Sequence, residues 1–378
     1  MSHAAESDST KRLVLVVGKG RSGTSLFSGM LGRLGFHVPQ PEVKADETNP
    51  RGFGEPRWVV RFHKRIMRER RVTVFDSRVA AWERLAEVAD DEDVAEELRS
   101  WLAVQFVGTD NVVVKDPRNV WFLPLWRRCA DDLGVDTSFA TMLRHPTEVV
   151  SSARRSYGTW QNDASRAASW LNVSLHAEYA TRGSRRAFVR YGDLLEDWPR
   201  EMSRCGEVLD LPWLVGIKPE DHPEVERFVD PQLRRSPPGW DAVDVPASLQ
   251  ALCEDAWTKL SALADPAGDT EAAQNALDDA RTAYVDFYAE AEAVAQSSVT
   301  AVKPRGAAAR PASANGRGRG GRRVVRKLVP ASMRESLRRS DGLPVSVRMM
   351  LLVPPQYRER IPVPVMDAAR KFVRALRR

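Results

Sequence analysis

The chain has 378 residues, 43% of them hydrophobic and 29% charged, which is the composition of an ordinary globular protein with one large α/β domain plus extras, or two modest domains. Its three cysteines (Cys129, Cys205 and Cys253) are too scattered for a disulfide framework or a metal site and point to a reducing cytosol, and no apolar run reaches membrane-spanning length. The net charge of +6 divides unevenly: residues 301–378 hold 20 Lys/Arg against 4 Asp/Glu, and residues 1–300 hold 37 against 47, so a basic tail follows an acidic body.

A polar leader, 1–11, reads as disordered. Residues 13–17 (LVLVV) form a continuous apolar run ending in glycine, the pattern of a buried parallel strand. A helix is predicted from Thr24 to about Leu34, a short second strand over 35–39, and loop over 40–57. Two or three helices follow between about 58 and 107, with Trp58, Phe62 and Ile66 at helical spacing. Further strands are predicted at 111–115, 137–143 and 187–191, alternating with helices over 123–133, from 147, over about 161–180 and over 194–209. About five strands alternating with helices predict an α/β fold, a doubly wound parallel sheet.

From about 247 the pattern is purely helical. Leu277, Ala280, Tyr284, Phe287, Ala291 and Val294 make one narrow apolar stripe, which suits a helix packed on the core better than a coiled-coil seam. The main domain is therefore set at 12–296. Residues 297–330 read as a disordered basic linker, and 331–378 as a basic, partly amphipathic segment.

Between the first strand and first helix lies Gly18-Lys19-Gly20-Arg21-Ser22-Gly23-Thr24-Ser25. Such a setting gathers backbone N–H groups and a helix N-terminus around an anion, with Thr24 and Ser25 adding hydroxyls and Arg21 a positive charge. A glycine turn without a ligand is the plain alternative. Gly18, Gly20 and Gly23 satisfy a dinucleotide-type GxGxxG, but the acid near the expected place, Glu42, sits in a Pro-flanked loop. A nucleoside triphosphatase loop needs a lysine where Thr24 stands. The third reading is that Arg-Ser-Gly-Thr-Ser after a strand resembles the 5′-phosphosulfate loop of sulfotransferases, a family with a P-loop-like fold.

A second feature agrees with that resemblance. Arg144-His145-Pro146 ends the strand at 137–143, and Ser152 follows eight residues after Arg144. This is similar to the R-x-P-x-x-x-x-x-S pattern with which sulfotransferases hold the 3′-phosphate of 3′-phosphoadenylyl sulfate (PAPS). A guanidinium fork and a hydroxyl suit a phosphate well. Lys115-Asp116-Pro117-Arg118 and the segment 189–195 (VRYGDLL) resemble further family segments in the same order, the whole covering about 12–240.

The resemblance implies a PAPS-dependent O-sulfotransferase. Donor contacts are then expected from Lys19, Gly20, Arg21, Ser22, Gly23, Thr24, Ser25, Arg144, Ser152 and Tyr191, and from Arg234 and Arg235. Arg21 and Lys115 are expected to stabilise the transferring group, and no metal is required. Asn49-Pro50-Arg51-Gly52-Phe53-Gly54-Glu55 resembles the N-P-x-G-x-x-E segment of bacterial relatives, which nominates Glu55 as base; a solvated loop carboxylate is the alternative. His63, in the next helix, is the reserve candidate.

The expected acceptor is a hydroxyl on a carbohydrate, glycolipid or cell-envelope glycan. The tail offers GRGRGGRR, of RNA-binding type, but without interleaved aromatics, and the acidic body argues against nucleic acid. The apolar VSVRMMLLVPP beside the basic C-terminus favours docking of 331–378 on anionic lipid, giving a cytoplasmic protein on the inner face of the membrane. A kinase on a P-loop fold is the alternative enzyme.

Overall fold

The computed structural model describes residues 10–46, 49, 52–158, 160–229 and 239–302, with side chains as far as Ser297. Strands β1 (Arg12–Val17), β2 (Asn111–Lys115), β3 (Asp136–Leu143) and β4 (Arg185–Arg190) form one sheet in the order β2-β1-β3-β4, every neighbouring pair parallel. Helix α1 (Thr24–Arg33) follows β1, and α2 (Arg57–Glu69), α3 (Ala81–Ala86) and α4 (Glu92–Gln105) complete the path to β2. Helix α5 (Leu123–Asp132) links β2 to β3, and α6 (Pro146–Tyr157) and α7 (Asp163–Ala180) link β3 to β4. Beyond β4 come α8 (Tyr191–Glu196), α9 (Trp198–Leu209), α10 (Pro223–Glu226), α11 (Ala247–Ala262) and α12 (Glu271–Val302).

Alternation along β1 explains the double winding. Leu13, Leu15 and Val17 point into a core shared with α2, α4 and α5, whereas Val14 and Val16 point into a core shared with α1 and α9. All five side chains are buried, each worth about 1.5–3 kcal/mol relative to exposure. A third core joins α6 and α7 to α11 and the first half of α12.

The apolar stripe of α12 behaves as a packed helix at its start. Leu277, Ala280 and Tyr284 are buried, but Val294 is exposed. Tyr284 also donates its hydroxyl to Ser77 O at 2.5 Å, tying this late helix to the segment between α2 and α3.

Two expectations are corrected. Four strands are found among the described residues, not five. The segment 35–39 makes a single parallel bridge, His37 to Val112, with Phe36 and Val38 on either side unpaired in the sheet. Gly35 takes a left-handed φ of 96°, and Pro39 has no N–H to continue a ladder. The helix α12 also runs to Val302, through the first residues assigned to linker. The rest of the linker and the tail lie outside the described residues.

Because every strand is parallel, all four C-terminal ends emerge on one edge. The chain steps from β1 to β2 on one side and then back across to β3 and β4 on the other, so β1 stands at a topological switch point. Gly18, Asp116, Arg144 and Tyr191 are the residues that leave the strands there. The three cysteines are buried and unpaired, and among the described residues no helix is long and apolar enough to cross a membrane.

Candidate active site

The turn after β1 is built on backbone conformations that few residues tolerate. Gly18 has φ 125°, and a Cβ there would stand 2.7 Å from Met142 O. Gly23, the N-cap of α1, has φ 94°, and a Cβ would meet the Tyr191 ring at 2.3 Å. Only glycine lets the loop lie this close to β3 and to Tyr191. Between them Arg21 itself takes φ 77°. Helix α1 begins with no acidic residue in its first turn, leaving its N-terminal N–H groups to face an anion without a competing carboxylate on the helix.

A cleft opens above this loop, lined by Gly20, Arg21, Gly23, Thr24 and Ser25 on its floor. Its walls bring together two groups. On one side, Arg21 donates through Nε to Ser152 Oγ at 3.1 Å, and Arg144 donates through Nη1 to Arg21 O at 3.2 Å. Arg144 is also held by Glu148 at 2.8 Å and lies over the Tyr191 ring, 4.2 Å from its centroid. The structure thus brings Arg21, Arg144, Ser152 and Tyr191 together, although they come from three separate parts of the sequence.

On the other side, Lys115 Nζ donates to Glu55 Oε1 at 2.7 Å, Ser25 Oγ at 3.1 Å and Phe53 O at 3.1 Å. Ser25 in turn donates to Phe53 O at 3.0 Å and accepts from Asn49 Nδ2 at 3.4 Å. Lys115 and Glu55 are both buried, and both line the cleft. Glu55 is therefore not a solvated loop carboxylate but one of a pair with Lys115, pinned to the phosphate-type loop through Ser25.

Several nominated residues are placed elsewhere. Lys19 is buried with its side chain turned from the cleft: Nζ donates to Ser169 Oγ on α7 and lies 5.1 Å from the Phe75 ring centroid. Burial pushes its pKa down to about 7, partly offset by Asp76. The one lysine of the loop is thus spent on packing the loop against α7, which also removes it from any phosphate role of the kinase kind. Ser22 is buried and does not line the cleft.

His63 does not reach the cleft either. It is fully buried, stacked on Phe122 at 4.4 Å, accepting from Trp126 Nε1 at Nε2 (3.2 Å) and paired through Nδ1 with Asp116 at 3.4 Å. Its helical position faces the core, so it is withdrawn as a base. Glu42 accepts from Gln40 at 2.7 Å in a loop beside α1 and ends no strand next to β1, which disposes of the dinucleotide pattern. Arg234 and Arg235 lie outside the described residues.

Sequence reasoning missed the aromatic lining. Phe53, Tyr157 and Phe228 all face the cleft, Phe228 with the Arg33 guanidinium stacked 3.7 Å from its centroid. Isolated aromatics in loops and at a helix end carry no periodic signal, so only their neighbours could have marked them. It also left open whether Asp116 orients Lys115 or Arg118; Asp116 accepts from Arg118. Burial opposes its charge, but the Arg118 guanidinium and the His63 hydrogen bond hold its pKa well below the usual carboxylate range.

Burial lowers the His63 pKa below 6.5, more than its Asp116 partner raises it. The folded state therefore binds fewer protons than the unfolded chain as pH falls below about 6.5, and stability is lost in that direction. The stability advantage of wild type over His63→Gln should shrink on going from neutral to mildly acidic pH, by at most about 1.4 kcal/mol per pH unit. Urea unfolding at a series of pH values measures it; a constant difference would show that His63 is not held neutral.

Comparison with known proteins bears on this geometry. A family model described as the sulfotransferase family matches residues 14–214, a span that contains the loop, Glu55, Lys115, Arg144 and Ser152. No curated protein matches. Among solved structures, the sulfotransferase domain from the Synechococcus PCC 7002 olefin synthase matches at 18% identity over 67% of this chain and 96% of that domain, with a TM-score of 0.40, too low a score to carry any argument. On the family match, which covers more than half of its length, the chain belongs to the sulfotransferase family.

Proposed function

We propose that the chain moves a sulfuryl group from PAPS to a hydroxyl of a carbohydrate or glycolipid. What supports this reading most is the pairing of two cationic anchors in one cleft, Arg21 and Arg144 on one side, with Ser152 buried behind Arg21, and Lys115 with Ser25 on the other. A donor phosphorylated at both the 3′ and 5′ positions needs two such anchors, and a nucleoside monophosphate needs one. In this reading the N–H groups at the start of α1, with Thr24 and Ser25, hold the 5′-phosphate, and Arg144 and Ser152 hold the 3′-phosphate.

The donor supplies the sulfuryl group. The acceptor oxygen forms a bond to sulfur as the bond from sulfur to the 5′-phosphate oxygen breaks, and the adenosine 3′,5′-bisphosphate leaves. Glu55 takes the acceptor proton, and Lys115, 2.7 Å away and bonded to Ser25, stabilises the charge that develops on the leaving phosphate. Arg21 contributes from the 3′-phosphate side, where its guanidinium meets Ser152.

The proposal extends to docking on anionic lipid through residues 331–378, which lie outside the described residues. The full chain should float with anionic vesicles and not with neutral ones, and equal behaviour on both contradicts the extension.

Arg144→Ala should weaken binding of adenosine 3′,5′-bisphosphate by roughly 10- to 100-fold, the worth of a charge-assisted contact, and leave AMP binding unchanged. Isothermal titration decides it: an equal loss for both nucleotides contradicts a 3′-phosphate site. Glu55→Gln should lower turnover of PAPS on a glycan panel by at least about 100-fold while keeping bisphosphate affinity. Retained turnover removes Glu55 from the chemistry.

A further inference from the structure

The two oxygens of Glu55 face different cations. Oε1 accepts from Lys115, whereas Oε2 lies 4.0 Å from Nη1 of Arg118. That second separation is too long for a hydrogen bond and short enough for a small shift to close it. Arg118 is itself fixed: its backbone N–H and its Nη1 both donate to Asp116 Oδ1, at 2.8 and 2.7 Å.

Asp116 has no exposure and is backed by His63, whose ring is clamped between Phe122 and the Trp126 N–H. A continuous chain therefore runs from the core to the site: Trp126, His63, Asp116, Arg118, Glu55. Among the described residues, the cations within 4.0 Å of Glu55 are Lys115 and Arg118, with Asp116 and His63 behind Arg118, and the cleft that Glu55 lines also carries Arg21, Arg144, Tyr157 and Tyr191.

Lys115 cannot serve Glu55 and an incoming anion equally. Its Nζ already touches Ser25 of the loop, and an anion seated on that loop competes for the same ammonium. When Lys115 turns to it, Glu55 is left buried without the only cation that hydrogen-bonds it among the described residues. Burial without a partner disfavours the charged form of a carboxylate, and only the charged form can act as a base.

We propose that Arg118 is the reserve counter-ion of Glu55, closing the 4.0 Å gap when Lys115 is drawn to the donor, and that Asp116 and His63 are the positioning residues that aim it. The inference rests on the reading above of Glu55 as base and of the loop as the 5′-phosphate site. The Lys-Asp-Pro-Arg turn then has a division of labour: the lysine serves the donor, the arginine keeps the base charged, and the aspartate between them keeps the arginine in place.

The test needs no acceptor. Binding of adenosine 3′,5′-bisphosphate to the full chain is followed calorimetrically in buffers of different ionisation enthalpy, which gives the number of protons taken up on binding. Wild type and Glu55→Gln should show the same count near neutral pH. Arg118→Gln should take up additional protons, up to one, and Arg118→Gln combined with Glu55→Gln should lose that increment.

Asp116→Asn, a second variant that leaves Arg118 in place, should move the count in the same direction, and Arg118→Lys should restore the wild-type value. A merely structural role would alter stability without creating a Glu55-dependent proton. Arg118→Gln or Asp116→Asn binding the bisphosphate with the wild-type proton count overturns the inference. Failure of the wild type to bind the bisphosphate at all overturns instead the functional reading beneath it.

Discussion

The site turns on where one ammonium sits. Lys115 Nζ touches Ser25 of the glycine loop, the Phe53 carbonyl and the Glu55 carboxylate, so it ties the end of β2 to both the loop and residues 53–55. Because it ends β2, its position is set by the register with β1, in which Lys115 stands opposite Val16. A one-residue slip would turn Lys115 to the other face and leave Glu55 buried without a partner. The Glu55 segment is loop, and it is this lysine, with Ser25, that holds it against the start of α1.

The remainder of the fold brings a second cationic group to the same edge. The parallel sheet delivers Arg144 from the end of β3 and Tyr191 from the end of β4, and α6 returns Ser152 to meet Arg21. Gly23 is needed because Tyr191 leaves no room for a side chain over the loop. Helices well beyond residue 214 contribute from behind: Tyr284 on α12 holds Ser77, next to the Asp76 that sits near Lys19. The loop is thus braced from both sides of the sheet.

Much of this was legible because it depends on local pattern. The apolar runs of β1, β2 and β3, the glycines of the loop and the eight-residue spacing of Arg144 and Ser152 each carry their meaning in sequence. What escaped depends on side-chain direction. Lys19 and Arg21 are two residues apart in one loop, yet one packs against Ser169 and the other faces the cleft; nothing local separates them. His63 looked like a reserve base because its helix follows Glu55, but its face of that helix points at Phe122 and Trp126. The expected strand at 35–39 failed for a local reason, a left-handed glycine and a proline bracketing a single bridge.

The most direct measurement is a crystal structure of the full chain with adenosine 3′,5′-bisphosphate. The account requires the 5′-phosphate on the N–H groups at the start of α1, within hydrogen-bonding distance of Thr24, Ser25 and Lys115. It requires the 3′-phosphate on Arg144 and Ser152. A nucleotide bound in the cleft with its 3′-phosphate away from Arg144 and Ser152, or a phosphate loop left empty beside a nucleotide bound elsewhere, would contradict it.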